Sequence, residues 1–450
     1  MVRQLALAAA LAAAGCGWDL PAKIPCSSND NCPRGLGCNL TAQVCVAVPG
    51  CGDGGGNGGG NGCFSGSPQT PTAAATGGKV NVSWFAGNTP NNASGFAVLR
   101  AEAQAGPYAT VGTTPYSNQQ STFTDPGPLA AGKTYWYEVA TSWSSNVVGA
   151  PSSAVSVSVP HWALRGSMLN GRYAAGAAVV NGALYVVGGY NQSSAVNVAA
   201  IEVYDATANA WTAKAPMPTA RAYLGVAAVG GVLYAVGGTD SCACATPAAY
   251  ATVEAYDVAS NTWSAKAPMP TPRQSLSVGV INGILYAAGG FAASSNVYSA
   301  ALEAYDPATN SWSTKAPLPA ARQGSAAAVI NGLLYVVGGV DSTYARVGTV
   351  EVYDPATNTW TTRAPMPTPR QDPGAGVLNG ILYAVGGTPG SGVYSTLEAY
   401  DPSTNTWSAK EATAATRGAP AVAALGGLIY AMGGYGSSAL PHLTVEAYTP

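Results

Sequence analysis

Charge is scarce in this sequence: Asp, Glu, Lys and Arg make up only 9% of its 450 residues, and the formal net charge is −2. No Lys/Arg cluster occurs, so the basic footprint that neutralises nucleic-acid phosphates is missing and nucleic acid is excluded as a partner. Phe and Met are rare at five and six, histidine occurs twice, and against these stand 56 Gly and 32 Pro. That balance predicts many short strands joined by tight turns, an all-β chain long enough for two or three cores.

The first residues run Met1-Val2-Arg3, then an apolar stretch from Leu5 to Ala14, then Gly15-Cys16. The stretch is too short to span a bilayer and has the layout of a secretory signal peptide over residues 1–15, which predicts export. Ala13-Ala14-Gly15-Cys16 resembles the bacterial lipobox, with Ala13 in place of the usual Leu. The resemblance implies lipidation of Cys16 and a lipoprotein of the outer membrane or cell surface. Each buried methylene of its acyl chains would contribute about 0.8 kcal/mol to anchoring. Ordinary cleavage nearby, leaving a soluble protein, is the alternative.

Of nine cysteines, eight remain once Cys16 is set aside. In an exported chain they read as disulfide candidates. Cys26, Cys32, Cys38 and Cys45 lie in a Pro/Gly/Asn-rich stretch, 16–50, that two bridges would staple. Cys51 and Cys63 bracket a Gly-rich tether, 51–63. Neither a CxxC pair nor a histidine accompanies them, so zinc is not expected. The pairing is not legible from spacing.

From 64 to 160 short runs alternate apolar and polar residues, as in Val80-Asn81-Val82-Ser83-Trp84 and Tyr135-Trp136-Tyr137-Glu138-Val139. This is the pattern of a β-sandwich. An early Trp84, the run Gly95 to Arg100, Asp125-Pro126, and Leu129 six residues before Tyr135 together resemble a fibronectin type III domain. That resemblance implies a tyrosine corner at Tyr135 and a spacer role, with a fairly rigid junction through Pro160.

Beyond residue 160 a unit of about 50 residues repeats, which points to a solenoid or propeller. Gly-Gly pairs fall at Gly188, Gly237, Gly289, Gly338, Gly386 and Gly433, each three residues after a Tyr. Glu-x-Tyr follows at Glu202, Glu254, Glu303, Glu351, Glu398 and Glu446. Tryptophans stand at Trp211, Trp263, Trp312, Trp360 and Trp407, seven residues beyond the Tyr of that motif. The succession resembles the kelch repeat and implies a β-propeller over 161–450. Each repeat offers four strand-length runs, the first two joined by Asn-Gly or a similar hairpin signal. Trp162 aligns with the fourth strand of a repeat lacking its first three, and the chain stops at Pro450 after a third strand. The N-terminal strand should complete the last of six blades.

Trp to Arg is ten residues and Arg to Tyr thirteen in all six copies, whereas the second Gly to the next Tyr varies from 13 to 18. Only the loop between strands two and three changes length, and binding residues concentrate on such loops. On that face the sequence places Tyr190, Asp240, Tyr250, Phe291, Tyr298, Asp341, Tyr344, Arg346, Tyr394, Tyr435 and His442. Cys242 and Cys244 share the longest loop, read first as a strained disulfide, with a metal pair or unpaired thiols as the alternatives. Asp341 and Asp372, on adjacent blades, are candidates to approach one another. Arg172, Arg221, Arg273, Arg322, Arg370 and Arg417 start the innermost strands near the mouth of that face. They form either a ring for anionic ligands or a brace that bonds carbonyls of neighbouring connections.

Some kelch propellers are enzymes, among them copper-radical oxidases and a sialic acid mutarotase. A copper site needs two converging histidines, but His161 belongs at the turn end and His442 at the loop end, about 15 Å apart at about 3.3 Å per residue. The oxidase chemistry is thereby excluded, and no metal or cofactor is implied. Mutarotation needs only an acid and a base, for which Asp341, Asp372 or Glu411 with an Arg would serve. The expected function is a binding module for an extracellular or envelope protein or glycan, with the mutarotase or a structural envelope role as alternatives.

Overall fold

A computed structural model describes residues 36–39, 44–47, 68–76, 79–86, 93–144, 147–240, 248–293, 295–437 and 442–450. The chain divides into two compact units, Met1–Val159 and Pro160–Pro450. Strands and turns make up both, with no α-helix among the described residues. Cys16, Cys26, Cys32, Cys51, Cys63, Cys242 and Cys244 lie outside the described residues, as do residues 1–15 and the Gly-rich tether.

The first unit stacks a three-stranded sheet (Thr72–Thr76, Lys79–Trp84, Ser121–Thr124) on a seven-stranded one. Alternation sends Val80, Val82 and Trp84 inward against Phe96, Val98, Tyr135, Tyr137 and Val139 of the larger sheet. The Tyr135 hydroxyl accepts the Ala130 N–H at 2.8 Å, so the polar end of a buried ring is satisfied upstream. Asp125, buried, is held by Arg100 at 2.9 Å and by the Tyr137 hydroxyl at 2.6 Å. Leu36–Asn39 and Val44–Ala47 pair as a hairpin that extends the larger sheet beside Val148, with Cys38 and Cys45 as register partners. The described part of the 16–50 stretch is thus a continuation of the sandwich sheet.

Among its described residues, the second unit contains six four-stranded antiparallel sheets in a propeller-like all-β arrangement. In sheet three, for example, Ser277–Ile281, Ile284–Ala288, Leu302–Asp306 and Ser311–Lys315 run side by side from inner to outer strand. Asn-Gly joins the first two, and Asn282 and Gly283 both take positive φ (50° and 81°), as a two-residue turn matched to strand twist requires. His161–Arg165 pairs with Val445–Thr449, as the outer strand of the sheet that also holds Ala421–Leu425 and Leu428–Met432.

Contacts between repeats explain the repeated residues. Each second glycine donates its N–H to the carbonyl of the next repeat's arginine: Gly189 to Arg221, Gly238 to Arg273, Gly290 to Arg322, Gly339 to Arg370, Gly387 to Arg417 and Gly434 to Arg172. The first glycine of each pair makes that approach possible. At Gly237 (φ 62°) an added Cβ would lie 2.5 Å from the Arg273 oxygen. The Trp Nε1–H groups reach back one repeat, as in Trp263 to the Ala215 oxygen at 2.8 Å and Trp312 to Ala267 at 2.9 Å. Trp162 does the same toward Glu411 at 2.7 Å and packs tilted against Tyr448 at 5.3 Å, so the first strand carries the outer-strand contacts of the others.

Candidate functional site

The six arginines are at most 1% exposed. Each forms an ion pair with the buried glutamate of its own repeat: Arg172 with Glu202 (2.8 Å), Arg221 with Glu254 (2.5 Å), Arg273 with Glu303 (2.7 Å), Arg322 with Glu351, Arg370 with Glu398 (2.6 Å) and Arg417 with Glu446 (2.7 Å). Some of the other guanidinium N–H groups donate to carbonyls, such as Ala235 from Arg221 and Ala384 from Arg370. A ring open to anionic ligands is therefore ruled against, because the charge is consumed inside the sheets, where an unpaired ion would be costly.

What lines the mouth instead, in the second to fifth repeats, are residues one and two positions after the arginine. The first of the two bridges to the residue following Gly-Gly, where the variable loop begins: Gln274 to Phe291, Gln323 to Val340 and Gln371 to Thr388, with Tyr173 to Tyr190 and Gly418 to Tyr435 likewise. The second, in every repeat, has positive φ: Ala174, Tyr223, Ser275, Gly324, Asp372 and Ala419 lie between 47° and 61°. Their backbones form a collar. Tyr223 N–H donates to Ala174, Ser275 to Tyr223, Gly324 to Ser275, Asp372 to Gly324, and Ala174 to Ala419 across the junction of the last and first repeats.

Above this collar, on the variable-loop side, lies a cavity of about 190 Å³. Gln274, Gln323 and Gln371 line it together with Tyr223, Ser275, Gly324, Asp372 and Val340. Gly324 leaves room for the carboxylate of its neighbour, since a Cβ there would sit 2.5 Å from Asp372 Oδ1. The Gln371 amide donates to Asp372 Oδ2 at 3.2 Å. Burial pushes the Asp372 carboxyl up to about 6, opposed by the Gln371 hydrogen bond and the charge of Arg346. The other side of the mouth is aromatic. The Tyr173 ring lies 5.6 Å from Tyr190, 6.4 Å from Tyr223 and 4.9 Å from Tyr435, all edge-on.

Of the residues expected on the loop face, Tyr190 and Tyr435 join this cluster, and Tyr190 is buried at 6% exposure. A second group forms farther out. Phe291 meets Tyr298 at 5.5 Å and Tyr298 meets Tyr344 at 5.8 Å, with Tyr344 68% exposed. Arg346 donates to the Tyr344 carbonyl at 3.1 Å. Burial, with Tyr344 next, raises the Tyr298 hydroxyl above its usual range. Asp341 Oδ1 accepts Thr343 N–H, Thr343 hydroxyl and Ala345 N–H, so that oxygen is engaged by its own loop. Asp240 likewise accepts Ala248 N–H at 3.1 Å. Tyr250 and Tyr394 anchor loops through backbone bonds to Gly238 and Gly387. His442 lies 3.1 Å from the Thr416 oxygen, and burial together with Arg417 lowers its pKa. His161 pairs with Thr449 while the His442 N–H reaches Gly434, so the two histidines occupy opposite ends of one sheet. No cluster of metal-ligating side chains occurs among the described residues.

Sequence reasoning passed over the three glutamines, Tyr173 and Tyr223. The signal was present: the two positions after arginine read Tyr-Ala, Ala-Tyr, Gln-Ser, Gln-Gly, Gln-Asp and Gly-Ala, in a frame otherwise repeated.

Comparison with known proteins agrees with this geometry. Residues 153–319 match the KLHDC2/KLHL20/DRC7 Kelch-repeats domain, and residues 321–367 and 369–410 match the Kelch motif. The chain thus carries kelch repeats. No curated protein matches it. A solved structure titled "Structure of YjhT" superposes with a TM-score of 0.53 at 18% identity, covering 61% of this chain and 94% of that one, a likeness of fold.

Proposed function

We propose that this kelch-repeat chain is an exported, lipid-anchored envelope protein that acts as a recognition module. It captures an extracellular protein or glycan on the variable-loop face of a closed six-bladed propeller. The six four-stranded sheets, the pairing of His161–Arg165 with Val445–Thr449, and the Gly434 to Arg172 bond support closure. Lipidation at Cys16 supplies the anchor. A fibronectin-like sandwich over 64–160 serves as the spacer, a reading supported by its two packed sheets and the Tyr135 hydroxyl bond.

One observation carries the binding reading. The repeated Arg, Glu and Trp side chains bond within the framework, whereas amides, a carboxylate and tyrosines gather at the loop-side mouth and on the loops beside it. Exposed Tyr344 with half-buried Arg346 and Tyr394, in a setting of small polar residues, suits recognition of partners. The test is capture of partners from cell-envelope and extracellular extracts by the full chain and by a Tyr344→Ala/Arg346→Ala/Tyr394→Ala variant. A partner held by the native chain and lost by the variant is expected; equal capture by both would overturn the loop-face assignment.

A sugar mutarotase reading is favoured by one feature, the Asp372 carboxyl near 6, a value suited to proton transfer at neutral pH. Anomeric exchange measured with and without Asp372→Ala decides it.

A further inference from the structure

We propose that the cavity above the collar is a binding site for a single neutral sugar ring, the terminal unit of a glycan. The inference deepens the recognition reading and rests on it. Four observations converge. The space, about 190 Å³, lies below the roughly 300 Å³ at which pockets for drug-sized ligands begin, so one ring fits and a peptide side chain with its backbone does not. Its walls offer amides from three consecutive repeats, Gln274, Gln323 and Gln371, each both donor and acceptor, which suits hydroxyl groups that are also both. Asp372 supplies a strong acceptor, its Oδ1 projected over Gly324, where a side chain would block it. Tyr223 both lines the cavity and touches Tyr173, so an aromatic face stands beside the polar groups.

The same groups define what is refused. A carboxylate facing the ligand, with the neighbouring arginines that precede the inner strands, Arg273, Arg322 and Arg370, each locked to a glutamate, disfavours acidic sugars. Arg346 is the one nearby cation that influences Asp372, and it acts in opposition to burial. A neutral pyranose meets no such penalty.

The framework itself provides the controls. At the position occupied by Asp372 and Tyr223, repeats six and one carry Ala419 and Ala174 at the same positive φ (47° and 51°). Asp372→Ala and Tyr223→Ala therefore place a residue the collar already accommodates. Gly324→Ala keeps every polar group but sets a Cβ 2.5 Å from Asp372 Oδ1, displacing the carboxylate.

The experiment is ligand-observed saturation-transfer NMR and calorimetry on the full chain with methyl glycosides of glucose, galactose, mannose and N-acetylglucosamine, beside glucuronic and N-acetylneuraminic acids. At least one neutral glycoside is expected to bind, with Kd raised tenfold or more by Asp372→Ala and by Gly324→Ala and several-fold by Tyr223→Ala. Absence of binding by every neutral glycoside, preference for the acidic sugars, or indifference to Asp372→Ala would each overturn the proposal. If partner capture still depends on the loop triple variant while no sugar binds, the sugar site fails and the recognition module stands. If sugar binds the cavity while partner capture ignores the loops, the cavity stands and the outer-loop assignment fails.

Discussion

The carboxyl of Asp372 makes folding stability depend on pH in a direction opposite to the usual aspartate. Its pKa stands at about 6 in the folded chain against 3.8 when exposed, because burial at the bottom of the mouth disfavours the ionised form. Between these values the folded chain binds more protons than the unfolded one, so stability falls as pH rises from about 4 to about 6. Below 3.8 both states are protonated and the penalty vanishes; above about 6 it is complete. The full difference corresponds to about 3 kcal/mol, and solvent at the open side of the cavity lowers the expected value to about 1–2 kcal/mol. Asp372→Asn removes the charge while keeping size, and should stabilise the second unit by that amount at pH 7 with no effect at pH 3.5. Urea unfolding followed by tryptophan fluorescence at pH 3.5, 5 and 7 measures it. The reasoning is refuted if the variant is less stable at pH 7, or if its gain over the native chain is the same at all three values.

Other outcomes follow from the framework. Arg273→Met strands Glu303 beside Thr271 and removes the guanidinium donor from the Ala287 and Ala301 carbonyls, the latter keeping the Gly289 N–H, so a loss of about 3–5 kcal/mol is expected in urea unfolding. Arg273→Met/Glu303→Leu should recover part of it, giving a non-additive cycle. Gly237→Ala, which forces a Cβ to 2.5 Å from the Arg273 oxygen, should cost well over the ~1 kcal/mol of Gly283→Ala, whose Cβ meets open space at φ 81°. Leu164→Pro puts a fixed-φ ring into the strand paired with Val445–Thr449 and should speed limited proteolysis there before any other sheet opens. Trp162→Phe keeps the contact with Tyr448 but loses the bond to the Glu411 oxygen, for a thermal destabilisation of about 1 kcal/mol.

Much of this was legible in the linear sequence because it is encoded locally and repeated. Asn-Gly between apolar runs specifies its hairpin through the φ values those two residues tolerate, as at Asn331-Gly332. Alternation in Val80-Asn81-Val82-Ser83-Trp84 specifies which side chains reach the sandwich core. The kelch repeats were visible as a period, with Gly, Tyr, Glu and Trp at constant offsets. Constant spacing also marked which loops vary.

Tertiary structure alone decided what the repeated charges do and where the mouth lies. An arginine ten residues after each tryptophan reads equally well as a ligand ring or as a brace, and only the glutamate of the third strand, about 30 residues away, settles it by neutralising the guanidinium in the interior. Burial of both partners follows from sheet packing, which no spacing expresses. The cavity is likewise a product of convergence: Tyr223, Gln274, Gln323 and Asp372 come from four different repeats and meet because backbone bonds between the left-handed residues link the second, third, fourth and fifth repeats each to the one before. Sequence determines each repeat through short-range backbone preference and alternation. The site arises between repeats, from long-range hydrogen bonds that bring one varying position of each to a common centre.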